Sequence, residues 1–339
     1  MVKIVTYRGY KTYVQYDDET SYGTGASAPS TAIKGKISTV TINRVNNLIR
    51  TVGLGEGRNE TFVGFGNFDV TWSMEYELAS FEFLKYLIGA IGGTGTTVAP
   101  YYLQESDFMG YTSTSMRTFG LSVASDDVSG TDDKEMLNGC VINTGGLTLN
   151  VGETLKCSLE GFAQNCISTT SADAFTPDTT KPWIFSQGAF KWNDTAVARV
   201  TSATININNN FDPEVGRQLG SRFIQALEMG LRKYDFVLTV KMTDTIATTL
   251  RDHFYGGSGQ AATGVADAEP TFYAVIFNLS EGSAAADRNG QILLSDASIN
   301  DISKPINIGD NIVELTINGT AKSGTTDTVK KPFKWWSVS

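Results

Sequence analysis

Few residues in this chain could do chemistry, and their spacing assigns them none. Three cysteines stand at 140, 157 and 166, with no CxxC pair among them. One histidine, His253, is present, so a Cys/His zinc set cannot be completed. An odd, sparse set of thiols fits reduced cysteines in a protein made in a cytosol. Cys140 and Cys157 fall on strand-like sequence and are expected as core thiols. His253 lies near a helix end, the default place for a surface histidine beside helix carbonyls. Gly53, Gly55 and Gly57, with Gly64 and Gly66, have the outline of a phosphate loop. No strand–turn–helix context follows them and no lysine comes after, so loop flexibility is the reading. The acidic run Asp126, Asp127, Asp132, Asp133 and Glu135 lacks EF-hand spacing and reads as a solvated loop. Asn59, Asn193, Asn278 and Asn318 open glycosylation sequons, which arise readily by chance in a chain rich in Thr and Asn. No catalytic, metal or cofactor constellation rises above background. The expectation is a protein that is not an enzyme and carries no cofactor.

The bulk composition says what scaffold these residues sit on. The chain has 339 residues, 41% hydrophobic and 11% aromatic, which is ample for packed cores. Runs of Thr, Val, Ile and Tyr broken by Gly and Asn predict an all-β protein. The net charge of −9 argues against a dedicated binder of phosphate backbones, though not against a surface that nucleic acid passes without sticking. Met1 leads directly into charged and aromatic residues with no apolar signal region. No run of about 18 apolar residues is present for a membrane span. The expectation is a soluble chain without membrane insertion.

One stretch organises the rest. Ser38–Asn47 recurs as Thr201–Asn210, with Thr41, Ile42, Asn43, Asn46 and Asn47 matched by Thr204, Ile205, Asn206, Asn209 and Asn210 at an offset of 163. Further matches follow in the same order. Val70, Trp72, Met74, Tyr76 and Leu78 alternate as a strand over 68–78, echoed at 232–242 with Trp72 opposite Phe236. A helical period over 80–91, capped by Ser80 and stopped by Gly92-Gly93, is echoed by 244–255 and Gly256-Gly257. Val141-Ile-Asn is echoed by Ser298-Ile-Asn, and Leu155–Gly161 by Val313–Gly319. Four segments in one order predict a duplication. The fold expected is mainly β: two tandem homologous β-sandwich or barrel units, each with one short α-helix. The boundaries read as an N-terminal arm (1–33), unit one (34–165), a linker (166–194), unit two (195–323) and a C-terminal tail (324–339). The arm is tyrosine-rich (Tyr7, Tyr10, Tyr13, Tyr16, Tyr22), and the tail ends in Phe333-Lys-Trp-Trp336.

Tyr22-Gly-Thr, a strand ending in Asn, a loop with Gly and Arg, a strand bearing Trp or Phe, a short helix, and Gly139-Cys-Val-Ile-Asn before Val151-Gly-Glu together resemble the major tail tube proteins of long-tailed bacterial and archaeal viruses, double-unit type. The resemblance covers most of the chain. It implies a virion protein that assembles in the host cytoplasm into stacked rings, each a trimer imitating a hexamer. The rings would form the hollow tail tube through which the genome passes. Its partners would be other copies of itself, tape-measure, tail-terminator and baseplate or tail-tip proteins, and double-stranded DNA in transit.

The resemblance further implies that strands 36–45, 68–78, 200–208 and 232–242 line or back the lumen, and that loops 48–62 and 211–223 touch the adjacent ring. Candidate ring-to-ring residues are then Arg50, Glu56, Arg58 and Glu60 on the first loop, and Asp212, Glu214, Arg217 and Arg222 on the second. Pairing of Arg217 and Arg222 with Glu56 and Glu60 across rings is the expectation. Asp69, Glu75 and Glu77 are candidate lumen carboxylates that would repel DNA phosphates. The second copy has Arg232, Lys233 and Lys241 at matching places. The alternative from composition is a secreted or surface β-rich adhesion or S-layer-like module, against which the absent signal region and the lack of repeats beyond two both argue.

Overall fold

A computed structural model describes residues 12–24, 29–53, 60, 62–89, 91–92, 101–103, 118–125, 133–169, 175–193, 195–197, 199–242, 244–256, 272–282, 288–306, 312–322 and 333–336. Strands dominate them. Numbered in chain order, an antiparallel run of eight carries the architecture. Its spatial order is β3 (Gly35–Thr51), β4 (Phe62–Leu78), β9 (Lys156–Ala163), β8 (Asp133–Asn150), β13 (Val200–Asn208), β14 (Lys233–Lys241), β17 (Glu314–Lys322) and β16 (Asn289–Ser303).

Two of these strands are long enough to serve a second layer. The first half of β8 pairs with β7 (Phe119–Ser125), which pairs with β1 (Thr12–Asp18), which pairs with β2 (Thr31–Ala32). On its other side β8 pairs with β10 (Asn165–Thr169). The first half of β16 pairs with β15 (Tyr273–Ser280), then β11 (Gly188–Trp192), then β12 (Thr195–Ala196). On its other side β16 pairs with β18 (Phe333–Trp336). β18 also pairs with β6 (Tyr101–Leu103), which returns to β5 (Ile91–Gly92).

The alternation in β4 explains why the layers stack. Val70, Trp72, Met74, Tyr76 and Leu78 are each at most 2% exposed, and Trp72 meets Phe119 of β7 edge-on with ring centres 5.7 Å apart. Burying side chains of this size contributes about 1.5–3 kcal/mol each. In the second half of the chain Phe236, Leu238 and Val240 of β14 do the same beneath Trp192 and Val275. The opposite face of the run is polar, with Thr41, Asn43, Thr71, Glu75, Ser158 and Glu160 exposed.

Registers slip where one strand holds an extra residue. β3 bulges at Ser38, as the interrupted alternation before Val40 predicts, and Ser38 Oγ donates to the Glu75 carbonyl at 3.0 Å. The β8–β9 ladder slips at Asn143, between Ile142 and Thr144. The β16–β17 ladder slips at Asn300, between Ile299 and Asp301.

The structure adds elements where the sequence predicts arm, linker and tail. Residues 12–18 are β1, buried at Tyr13, Val14, Gln15 and Tyr16. Residues 188–192 are β11, and the aromatic end is β18. The first helix is shorter than its period suggests: a 3-10 turn over Glu82–Leu84 and α1 (Lys85–Ile88). Ser80 Oγ does accept from the Glu82 amide, at 3.3 Å. The stop comes at Gly89, whose φ of +150° only glycine adopts easily. The second helix, α2 (Asp244–Phe254), ends before Gly256 at φ +110°, as predicted. Cys140 and Cys157 are buried core thiols, and burial pushes Cys157 up to about 12.

Candidate assembly surface

The β3–β4 hairpin outgrows the body it belongs to. Each strand runs 17 residues. Pairing continues out to Thr51 opposite Phe62, so much of the predicted loop 48–62 is strand. Beyond Asn43 and Phe68 the side chains leave the core. Val45, Leu48, Ile49, Val52, Phe62, Val63 and Phe65 are 40–68% exposed. Seven exposed apolar side chains along one hairpin, spread over its two faces, mark a surface built to be covered. The glycines that suggest a mobile loop have another use here. A β-carbon at Gly66 would lie 2.5 Å from the Asn47 carbonyl, at the point where the ladder slips past Asn47.

Of the hairpin's candidate charges, Arg50 Nη1 on β3 pairs with Glu60 Oε2, two residues before β4, at 3.3 Å. Both are about half exposed, so the pair contributes little to the fold, between about 0 and 1 kcal/mol. Glu56 and Arg58 lie outside the described residues.

The counterpart stretch in the second half does not project. Residues 209–232 turn back and bury Phe211, Ile224 and Leu227 against Val141 and Phe162. This loop grips the base of the hairpin. Arg217 forms ion pairs with Asp69 and, at 2.9 Å, with Glu214. Burial works against that guanidinium, but the two carboxylates outweigh it and raise its pKa. Arg222 donates from Nε to the Gly66 carbonyl at 2.8 Å and from Nη2 to Asn46 Oδ1 at 2.7 Å. Its guanidinium lies 4.8 Å over the Phe65 ring, and its own carbonyl accepts from the Phe68 amide at 3.0 Å. Both arginines therefore have partners in their own chain. Asp212 Oδ1 caps the turn by accepting from the Glu214 amide at 2.9 Å.

The candidate lumen carboxylates separate in the same way. Asp69 accepts from Asn47 as well as from Arg217. Glu75 and Glu77 lie on the polar face of β4, opposite Thr39 and Lys36 of β3, with Lys156 opposite Glu77 on β9. An open concavity on this face is lined by Thr41, Asn43, Thr71, Ser73, Thr144 and Glu160. In the second half, Arg232 donates to Asn209 Oδ1 at 2.6 Å, while Lys233 is exposed and Lys241 half-buried.

Sequence reasoning passes over two features. One is the apolar row itself, visible only as Leu48, Ile49 and Val63 among glycines. The other is the pair of unfilled strand edges at the ends of the eight-strand run. Among the described residues β3 has β4 as its strand partner, and the second half of β16 has β17. Exposed edges and an apolar hairpin are what a subunit of a larger assembly presents. Residues 9–321 match the family described as phage tail tube protein. The chain belongs to that family. A search among curated proteins finds no match. As a tail tube protein it is a structural, non-enzymatic part of the virion tail, and it self-assembles into a tube with other tail proteins.

Proposed function

We propose that this tail tube protein is of the double-unit type, that three copies close into a ring of six pseudo-equivalent units, and that stacked rings enclose the lumen through which the viral genome travels. The observation that carries the reading is the junction between β8 and β13. There Thr148, Gly146 and Thr144 stand opposite Thr204, Asn206 and Asn208, so one half of the chain continues the sheet of the other. β3 is the counterpart of β13, and the second half of β16 is the counterpart of the second half of β8. These are the two unfilled edges. Joining β16 of one copy to β3 of the next repeats the internal junction and closes the ring.

Support for the two-unit reading is positional. β1, β2, β3, β4, β7, β8, β9 and β10 pair among themselves in the same pattern as β11, β12, β13, β14, β15, β16, β17 and β18 do, and the bulges at Asn143 and Asn300 fall 157 residues apart. The two units then span about β1–β10 and β11–β18. They take in the arm, the linker and the tail.

In such a ring the polar face of the run, with Glu75, Glu77 and Glu160, lines the lumen, where carboxylates keep DNA from adhering. Asp69 stands at the edge of that face, held by Arg217. The hairpin, with Arg50, Glu56, Arg58, Glu60 and its apolar row, reaches the adjacent ring. Asp212 and Glu214 present the charge of the second loop, with Arg217 and Arg222 bracing it from within.

The internal register, carried to the edges, puts Asn43 opposite Ser303 of the next copy. Asn43→Cys and Ser303→Cys in one chain should then form disulfide-linked oligomers under oxidation, while negative-stain images of the reduced protein show rings and tubes with a central hole. Monodisperse monomers without rings would sink the assembly reading. Rings without the cross-link would sink the register.

A further inference from the structure

Leu149 and Ile306 hold corresponding places, yet only Leu149 is seated. Leu149 stands near the end of β8, opposite Ala203 of β13 at the internal junction. It packs against the core, and its Cδ2 comes so close to β11 that a β-carbon at Gly188 would lie 2.7 Å from it. Ile306 follows β16 at the offset that separates the bulges at Asn143 and Asn300 (306 − 149 = 157). It is 69% exposed. The place that matches Leu149's seat is open as well. Val40 of β3 is the counterpart of Ala203, and β1 is the counterpart of β11. There a cavity of about 460 Å³ is lined, among the described residues, by Thr12, Tyr13, Val14, Val40, Val123 and Phe175. In the second half of the chain the matching strands fill this place from within, Phe190 of β11 standing opposite Phe277 of β15 with ring centres 5.0 Å apart. Val14 and Val123 are the corresponding pair of β1 and β7. Two valines leave room that two phenylalanines do not.

We infer that Ile306 of one copy seats in this cavity of a second copy, as a knob that fixes the register between neighbours. The inference rests on the ring reading, which joins β16 of one copy to β3 of the next. Carried to that joint, the internal pairing of Leu149 with Ala203 puts Ile306 opposite Val40. The knob then lies over Val14 and Val123, as Leu149 lies over β11. Thr12 takes the place of Gly188, and the cavity exists with that side chain present.

Two departures of this segment from its counterpart are compatible with the seat. Pro305 stands where Thr148 does. At the internal junction the Val151 amide donates to the Thr201 carbonyl, and the Asn143 carbonyl accepts from the Asn209 amide. The odd-numbered residues in this half of β8 therefore turn their main-chain groups to β13, and Thr148 turns its own to β9. By the same alternation Pro305 withholds an N–H from β17 of its own chain, beyond the last registered pair of Ser303 with Thr316, and none from the neighbour. Lys304 is exposed where Leu147 is buried. A charge on the inner side of an edge strand discourages indiscriminate pairing. Its long stem lets the ammonium reach water once the neighbour is in place.

The test uses the full-length protein as dilute subunits and as assembled rings. An aliphatic diazirine amino acid in place of Ile306 should, on illumination of the rings, give chain dimers on denaturing gels, with the cross-link in the peptides that carry Val14, Val40 or Val123. Ile306→Asp should leave the melting temperature of the dilute subunit unchanged, because that side chain is exposed. It should weaken ring formation by about tenfold or more, the effect of losing one buried aliphatic side chain. If parent rings form but Ile306→Asp assembles as readily, or the cross-links fall elsewhere, this inference fails while the ring reading stands. If the parent forms no rings, both fail.

Discussion

Gly161 lies against the carbonyl oxygen of Val141, so close that a β-carbon there would be 1.8 Å from it. Gly319 stands in the same relation to Ser298, at 2.4 Å, and each glycine backs onto an aromatic ring, Trp72 in one case and Phe236 in the other. Strands approach this closely only where no side chain intervenes. Gly161→Ala and Gly319→Ala should therefore each push neighbouring backbone apart, with an overpacking cost of about 1–3 kcal/mol. Both variants should melt below the parent in calorimetry or circular dichroism, and by similar amounts if the two halves are equivalent. Parent-like melting of either would show that the approach is not needed.

These glycines also show what the sequence makes legible. Gly161, Gly319, the Trp72/Phe236 match and the Thr41/Thr204 offset can be read in the chain because each sits on a strand with one buried face, where a residue has a single permitted role. The far half of the hairpin has solvent on both faces. Its residues Leu48, Ile49, Val52 and Val63 follow no period, and its glycines suggest a loop. β1 is buried at four successive residues, so its pattern does not alternate and the tyrosines look like an arm. Gly89 ends α1 early because Phe83, Leu84, Tyr86, Leu87 and Ile88 are all buried there, a packing fact that periodicity does not reveal. Arg217 and Arg222 read as partners for Glu56 and Glu60 of another ring because the groups they hold in their own chain, Asp69 and Asn46, are more than a hundred residues away and no sequence pattern brings them together.

Asn209, fully buried, holds the two halves of the chain together. Its Nδ2 donates to the carbonyls of Leu87 and Ile142, each at 2.9 Å, and its Oδ1 accepts from Arg232. Asn209→Leu removes the donor from the Leu87 and Ile142 carbonyls, at a cost of about 1–3 kcal/mol for each one left unsatisfied. The expected result is a marked loss of stability in denaturant unfolding. Its counterpart Asn46 is exposed and bonded to Arg222 at the surface, so Asn46→Ala should stay within about 0.5 kcal/mol of the parent. Equal effects at the two positions would contradict this assignment.

His253 gives the subunit an acid-sensitive point. Trp192 Nε1 donates to His253 Nδ1 at 2.6 Å, so that nitrogen must be unprotonated, and the imidazole stacks on Tyr273 with centres 3.6 Å apart. Burial pulls its pKa below the ordinary histidine value, with Asp252 pulling more weakly the other way. The unfolded chain takes up this proton near pH 6.5 and the folded chain only at lower pH. The unfolded state thus binds more protons, and stability falls as pH drops. The contribution is complete above about pH 6.5 and is lost as pH falls through the folded value. Melting temperature should decline between about pH 7 and pH 5 in the parent, and His253→Phe should flatten that decline. A parent curve flat across this range would show that His253 is not linked to stability.

The apolar row on the hairpin separates assembly from folding. Ile49 and Val63 are each 54% exposed and pack on nothing in the core. Ile49→Asp and Val63→Asp should therefore change subunit stability by only about 0.5 kcal/mol. In the proposed ring the edges that join copies lie elsewhere, at the β3 residues near Asn43 and at the end of β16. The variants should then form rings that fail to stack. Electron micrographs should show isolated annuli where the parent gives long tubes, and sedimentation should show ring-sized particles with no pelleted polymer. Raising the salt concentration should not restore stacking, because the lost contact is apolar, whereas Arg50→Glu, which sets like charges across from Glu60, should respond to salt. Tubes of normal length from both aspartate variants would mean that the hairpin is not what one ring presents to the next.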